Sequence, residues 1–220
     1  MASKSRAGLL KKLKGAKEGG VGNNFRDGRY RLVVRQLQLL RGFKGQRFQA
    51  TLVPMTATKI PVQSVKTGEK LDIEPNPIGS DVDWLCTKLD EDDSVGPGNL
   101  RKFIRSLCTS LKEISDDDFA ETLAEVCDLC MGTDAAQCVC EDKAEHGAPT
   151  KVALEPAKGM MIDMETVRIE TSKNKKEIVV CNWTHVEQTE EERQENIKWL
   201  AALTTAQAAM KKAATAEARA

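Results

Sequence analysis

The chain is poor in aromatic residues. Its 220 positions hold five Phe, three Trp and one Tyr, so each ring carries a large share of whatever core or stacking surface the protein builds. Histidine is scarcer still, with only His146 and His185, which leaves little scope for imidazole acid–base chemistry. There is no phosphate-binding glycine loop, nucleophile motif or dinucleotide fingerprint. The acid cluster "DEDD" at 90–93 could in principle hold two metals, but it sits before a helix and reads as a solvated cap. No apolar run approaches the roughly 20 residues that span a bilayer. The opening "MASKSRAGLLKKLKGAK" lacks the apolar core of a secretory signal. Seven cysteines, an odd number without a signal, point to reduced thiols and a cytoplasmic setting. The expectation is a binding protein, neither enzyme nor membrane protein.

Net charge is also absent, with 33 basic and 33 acidic residues, but the balance is uneven. Residues 1–47 carry thirteen Lys and Arg against Glu18 and Asp27, a net +11 that leaves −11 for the remainder. Such polarity suits a basic surface for a polyanion with acidic regions elsewhere. It would equally suit basic and acidic parts of one molecule facing each other. The stretch "RGFKGQRF" at 41–48 concentrates the feature: Arg41, Lys44 and Arg47 surround Phe43, with Gly42 and Gly45 as turn residues and no acid.

Residues 1–24 read as a basic arm, in which Leu9, Leu10 and Leu13 sit among lysines before the linker "EGGVGNN". From Gly28 the period becomes two. Tyr30, Leu32 and Val34 alternate with Arg29, Arg31, Val33 and Arg35, and the apolar parity then slips to Leu37 and Leu39, the signature of a β-bulge in a long bent strand. "RFQATLV" at 47–53 is a second strand, so 41–47 forms a hairpin tip. Residues 54–77 are expected as a polar excursion. "IGSDVDWLCTKL" at 78–89 is a third strand, with Trp84 on the core face. A helix from about Asn99 places Leu100, Phe103, Ile104, Leu107 and Leu111 at helical spacing, and a second begins near "SDDDF" at 115–119. "GMMIDMETVRIET" and "KEIVVCNWTHVE" make a second hairpin joined by "SKNKK", with Trp183 open to exposure. Thr189 and Glu192 have capping-box spacing and open a C-terminal helix.

Three strands, a helical insert, two strands and a helix give a mainly β fold with α additions (α+β). This order is the plan of a five-stranded OB-fold barrel with its helix between strands three and four. The expected organisation is an arm at 1–24, an OB-fold domain at 25–188 with an insert at about 97–158, and an Ala-rich helix at 189–220. In that plan the loops joining strands one to two and four to five border the binding groove. Both are basic here, with Arg41, Lys44 and Arg47 in one and Lys173, Lys175 and Lys176 in the other; Arg31 and Arg35 would extend the stripe along strand one. Cations would meet phosphates and Phe43 would stack on a base. Against this stands a bland reading, with Phe43 folded back onto the barrel and the arginines a solvated face. Cys127, Cys130, Cys138 and Cys140, with His146 nearby, offer ligands for a structural zinc. Yet Cys127 and Cys130 also continue the apolar face of Phe119 and Leu123, where reduced Cys acts as a small hydrophobe.

The segments "NNFRDGRYRLVV", "IGSDVDWLCTKLD", "GNLRKFIRSLC", "GMMIDMETVRIET" and "EIVVCNWTHVE" resemble a family of phage-encoded OB-fold proteins of replication and recombination modules. These are regarded as single-stranded DNA-binding proteins. The resemblance spans roughly residues 20–187, with gaps at 54–77 and 132–158. It implies sequence-tolerant binding of single-stranded DNA in the bacterial host cytoplasm, no catalytic residues, and replication or recombination proteins as further partners. The chain lacks the acidic C-terminal tip of bacterial single-stranded-DNA-binding proteins. The alternative is a protein–protein adaptor of such a complex, without nucleic-acid contact, and self-association through the C-terminal helix is open.

Overall fold

The alternation that begins at Arg29 forms β1 (Arg29–Gly42), which returns through a tight hairpin as β2 (Gly45–Thr58). The structure, a computed structural model, describes residues 25–42, 45–87, 96–107, 157–171 and 175–217. A small hairpin of β3 (Val62–Gln63) and β4 (Lys70–Leu71) follows, then β5 (Val82–Thr87) and helix α1 (Gly96–Leu107). Strands β6 (Met161–Glu170) and β7 (Glu177–His185) lead to helix α2 (Glu190–Glu217). The main sheet has five antiparallel strands in the order β5-β2-β1-β6-β7. The described residues therefore form a mainly β fold with two helices.

The parity slip in β1 is a bulge. Val34 lies opposite Leu52 and Gln36 opposite Thr51, which leaves Arg35 with no counterpart. The extra residue lets Val34 and Leu37, three positions apart, both enter the core. A second irregularity falls where Arg31 pairs with Thr56 and Leu32 with Pro54. A proline inside a strand fits there because the ladder is already broken. Strand β2 runs five residues further than its apolar alternation implies, and the rest of the expected excursion contains the β3–β4 hairpin. The helix expected near residue 115 lies outside the described residues.

The core gathers Tyr30, Leu32, Val34 and Leu37 from β1 with Phe48, Ala50 and Leu52 from β2. Beneath them α1 inserts Leu100, Phe103, Ile104 and Leu107. Trp84 of β5 stacks on Phe103 at 4.9 Å between ring centroids, and Trp183 of β7 meets the same ring edge-on at 5.0 Å. The two tryptophans lie 5.4 Å apart. Since β5 and β7 are the two edge strands, the sheet coils until its edges face each other across α1. No ladder joins β5 to β7 among the described residues. Trp183, open to exposure on sequence grounds, is buried; the coiling that brings α1 beneath it is a tertiary effect.

Val33 breaks the polar alternation on the outer face of β1 for a reason. It packs with Val53 and Leu200 in a second cluster, bordered by Met55, Met161, Trp199 and Leu203. Helix α2 thus lies on its own sheet. Its start is the expected capping box: Thr189 N–H donates to Glu192 Oε2 at 2.8 Å, and Glu192 N–H to Thr189 Oγ1 at 3.2 Å. The turn at Gly159 locks it in place. Gly159 N–H donates to the Val34 carbonyl, and its own carbonyl accepts from Gln188 Nε2 and Asn196 Nδ2, both at 3.0 Å.

Candidate nucleic-acid interface

Alternation puts Arg29 and Arg31 on the outer face of β1, and the register puts Glu165 and Asp163 of β6 directly opposite them. Arg31 forms a two-pronged pair with Asp163, Nε to Oδ1 and Nη2 to Oδ2, both at 2.9 Å. This hydrogen bonding raises the Arg31 pKa further above its ordinary value. Arg29 reaches Glu165 Oε2 through Nε and Nη2 at 3.1 and 3.0 Å. Together they line a shallow depression of about 280 Å³ with Thr56, Thr58 and Thr184. Its charges cancel within the cleft.

Arg35, the bulge residue, turns toward α2. Its Nη1 donates to Asp81 Oδ2 at 2.8 Å and to Gln207 Oε1 at 3.3 Å, while Nε and Nη2 are buried without a hydrogen-bond partner. Gln207 in turn donates to the Gly79 carbonyl. Arg35 therefore ties the bulge to the helix and to the approach of β5. Of the stripe expected along strand one, both arginines are engaged by carboxylates.

The cationic tips hold the remaining positions. Backbone at Arg41 and Arg47 continues the β1–β2 ladder, with Arg41 opposite Gln46 and Arg47 opposite Leu40 and Thr87. Phe43, Lys44 and Lys173 lie outside the described residues, as do Cys127, Cys130, Cys138, Cys140 and His146. In the second tip, Lys175 takes a left-handed conformation (φ 51°) and its Nζ lies 3.5 Å from Glu170 Oε1. Lys176 N–H donates to Thr171 Oγ1, and its carbonyl accepts from Thr171 N–H at 2.8 Å. Pairing between β1 and β6 runs only from Arg29–Glu165 to Val33–Met161, so the β6–β7 ribbon extends past the start of β1. The other tip lies past its end. The register alone does not bring the two tips together; only coiling of the sheet could.

A part-buried polar cluster, unforeseen in the sequence, anchors the projecting ribbon. Arg168 Nε and Nη2 donate to Asp27 Oδ1 and Oδ2 at 3.1 and 2.7 Å, and Nη1 donates to Glu177 Oε1. Glu177 Oε2 accepts from Ser64 Oγ at 2.6 Å and from Lys66 N–H at 3.2 Å. The hydrogen bonds from Ser64 and Arg168 hold the Glu177 carboxyl down at about 2. N-terminal segment, β3–β4 hairpin and β6–β7 ribbon thus meet at the Arg168–Glu177 pair, Asp27 bonding the guanidinium and Ser64 and Lys66 the carboxylate. The only sequence signal is that Arg168 and Glu177 fall on apolar-parity positions of their strands.

Cys86 and Cys181 are buried thiols, and desolvation pushes each up to about 12. Among the described residues no cluster of three His, Cys, Asp or Glu could hold a metal ion, and no helix is long and apolar enough to cross a membrane. No protein-family model, curated protein or solved structure matches this chain.

Proposed function

We propose that the protein binds single-stranded DNA without sequence preference, on an OB-fold barrel, in phage replication or recombination. The observation that carries this reading is the strand order β5-β2-β1-β6-β7 with a long bulged β1 and a helix between the third and fourth long strands. That is the order of an OB-fold opened between strands three and five, a scaffold whose recurrent ligands are oligonucleotides and oligosaccharides. The contact of Trp84 with Trp183 across the two edges fits the closed form of the same sheet. The basic tips favour the polyanion among those ligands, and the resemblance to phage proteins supplies the biological setting.

Because Arg31 and Arg35 are held by Asp163 and Asp81, phosphate contact falls to the tips: Arg41, Lys44, Arg47, Lys173, Lys175 and Lys176. Six cations on a single strand predict that log affinity falls against log salt with a slope of about −4. Titration of labelled oligo-dT at several salt concentrations tests this, with a Phe43→Ala, Lys44→Ala variant alongside. Binding at low salt that weakens in the variant is the expected result. Absence of binding at low salt would remove the proposal, and identical curves would remove the first tip from it.

A further inference from the structure

Two guanidinium groups stand two residues apart on the outer face of β1, with side chains 65% exposed at Arg29 and 46% at Arg31. Arg31 bonds Asp163 through Nε and Nη2, and Arg29 bonds Glu165 through the same two atoms. Such bonds lie in the plane of the guanidinium, so they fix the plane and leave its faces free of hydrogen bonds. The depression of about 280 Å³ that both arginines line is bordered by Thr56 and Thr58 of β2 on one side and Thr184 of β7 on the other. Alternate residues of a strand are about 6.8 Å apart, twice the roughly 3.4 Å rise of a stacked nucleotide. That spacing leaves room for one flat ring between the two side chains. A phosphate is the wrong guest, because Asp163 and Glu165 already neutralise the cations and would repel a further anion. A nucleobase meets no such repulsion. Glu165 Oε1 makes no hydrogen bond among the described residues, and each of the four bases carries an N–H on its pairing edge that a carboxylate can accept.

We infer that the cleft between Arg29 and Arg31 is a stacking site for one base of the bound strand, the guanidinium faces taking the part that aromatic rings play in other single-strand binders. This inference rests on the nucleic-acid reading above and names the part of the ligand that this face takes. The ion pairs that withdraw Arg31 from phosphate contact are then what hold it as a platform, and Arg29 gains a role beside it. Since every base has a π-face and an N–H, the site is sequence-tolerant.

The test compares oligo-dT with an oligomer of tetrahydrofuran abasic units of equal length, at low salt, on the full chain and on an Arg29→Lys, Arg31→Lys variant. Lysine keeps both charges beside their carboxylates but has no plane. The expected result is a loss of at least about fivefold in affinity for oligo-dT, the low end of one stack. Affinity for the abasic strand, and the salt slope for oligo-dT, should not change. Both positions lie on an exposed face, so the melts of variant and parent should coincide. If the double variant melts early, Arg29→Lys alone, at the more exposed position, should show the same selective loss. Equal losses on the two oligomers with a flatter salt slope would make the arginines phosphate contacts and overturn the inference while leaving DNA binding intact. Undiminished binding of oligo-dT by the variant would overturn it as well. Failure of the parent to bind oligo-dT would instead overturn the reading on which it rests.

Discussion

Trp84 and Trp183 stand on the two edge strands of the sheet, at opposite ends of the strand order, and their rings touch edge to face at 5.4 Å and 80°. Three strands separate the two edges along the hydrogen-bonded ladder; through the core the edges are neighbours. The contact is mediated by Phe103 of α1, which touches both rings. Coiling of the sheet and docking of α1 are therefore one event.

Trp84→Ala should accordingly do more than empty a cavity. Truncation of a fully buried aromatic costs about 3–5 kcal/mol, and here it also removes the wedge between sheet and helix. The expected result is a large loss of near-ultraviolet circular dichroism together with a lower denaturant midpoint. Trp84→Phe should keep most of both, because a smaller ring still reaches Phe103. Equal effects of the two substitutions would show that the ring contact is not what couples sheet to helix.

Among the described glycines, Gly159 leaves the least room for a side chain. Its φ is +80°, and a Cβ there would lie 2.7 Å from the Arg193 carbonyl and from Ile197 Cγ1. Both objections act together, since L residues avoid that conformation and the backbone of α2 cannot yield. Gly159→Ala should cost at least about 1–3 kcal/mol, lowering Tm by roughly 2–4 °C per kcal/mol for a chain of this size. Gly68, also at positive φ but with no atom nearer than 3.7 Å to a Cβ, is the control; Gly68→Ala should cost less than Gly159→Ala by thermal melt.

The seat of α2 on the sheet rests on Leu200, 2% exposed against Val33 and Val53. Leu200→Ala should cost about 2–5 kcal/mol. If the helix belongs to this surface, the same substitution should raise hydrogen exchange along the first half of α2 and at the Gly159 turn together. Raised exchange in the helix alone would mean that the turn is held by β1 without it.

Much of this fold is legible in the amino-acid sequence. The period-two runs set β1, β5, β6 and β7, the parity slip between Val34 and Leu37 marked the bulge, and Thr189 with Glu192 marked the helix start, because each signal is local. What could not be read was long-range. Val33 alternates with the arginines in sequence, and its apolar partner Leu200 lies far along the chain in α2. Arg31 and Arg35 read as free cations because their partners, Asp163 and Asp81, are 132 and 46 residues away and only the register makes them neighbours. The same limit hid the Asp27–Arg168 pair, while Trp183 was ambiguous because an end-of-strand ring is buried or bare according to what docks on it.

That pair invites a double-mutant cycle. Asp27 is 3% exposed, so Asp27→Ala leaves a largely buried guanidinium with one carboxylate instead of two, and Arg168→Met leaves a buried, unpaired carboxylate. Each single change should cost about 3 kcal/mol or more. The double variant should recover part of the loss, since neither charge is then stranded. Additive losses, measured by chemical denaturation, would mean that the two side chains act independently.

Glu177 makes the acid limb of stability predictable in sign. Its carboxyl titrates at about 2 in the folded protein against an ordinary 4.5, so the folded state gives up its proton more readily than the unfolded chain. A depressed carboxylate contributes stability that is complete above the unfolded value and is lost as pH falls through the folded one. The Tm should therefore hold down to about pH 5 and decline from there toward about pH 2. Glu177→Gln keeps the shape and an acceptor for Ser64 but cannot titrate, so its melts should start lower at neutral pH and converge with the parent near pH 2. Arg168 does not contribute to this limb, because the hydrogen bond to Asp27 raises its pKa above the ordinary, already strongly basic value and it stays charged throughout. Parallel Tm profiles for parent and variant would assign the acid limb to other carboxylates.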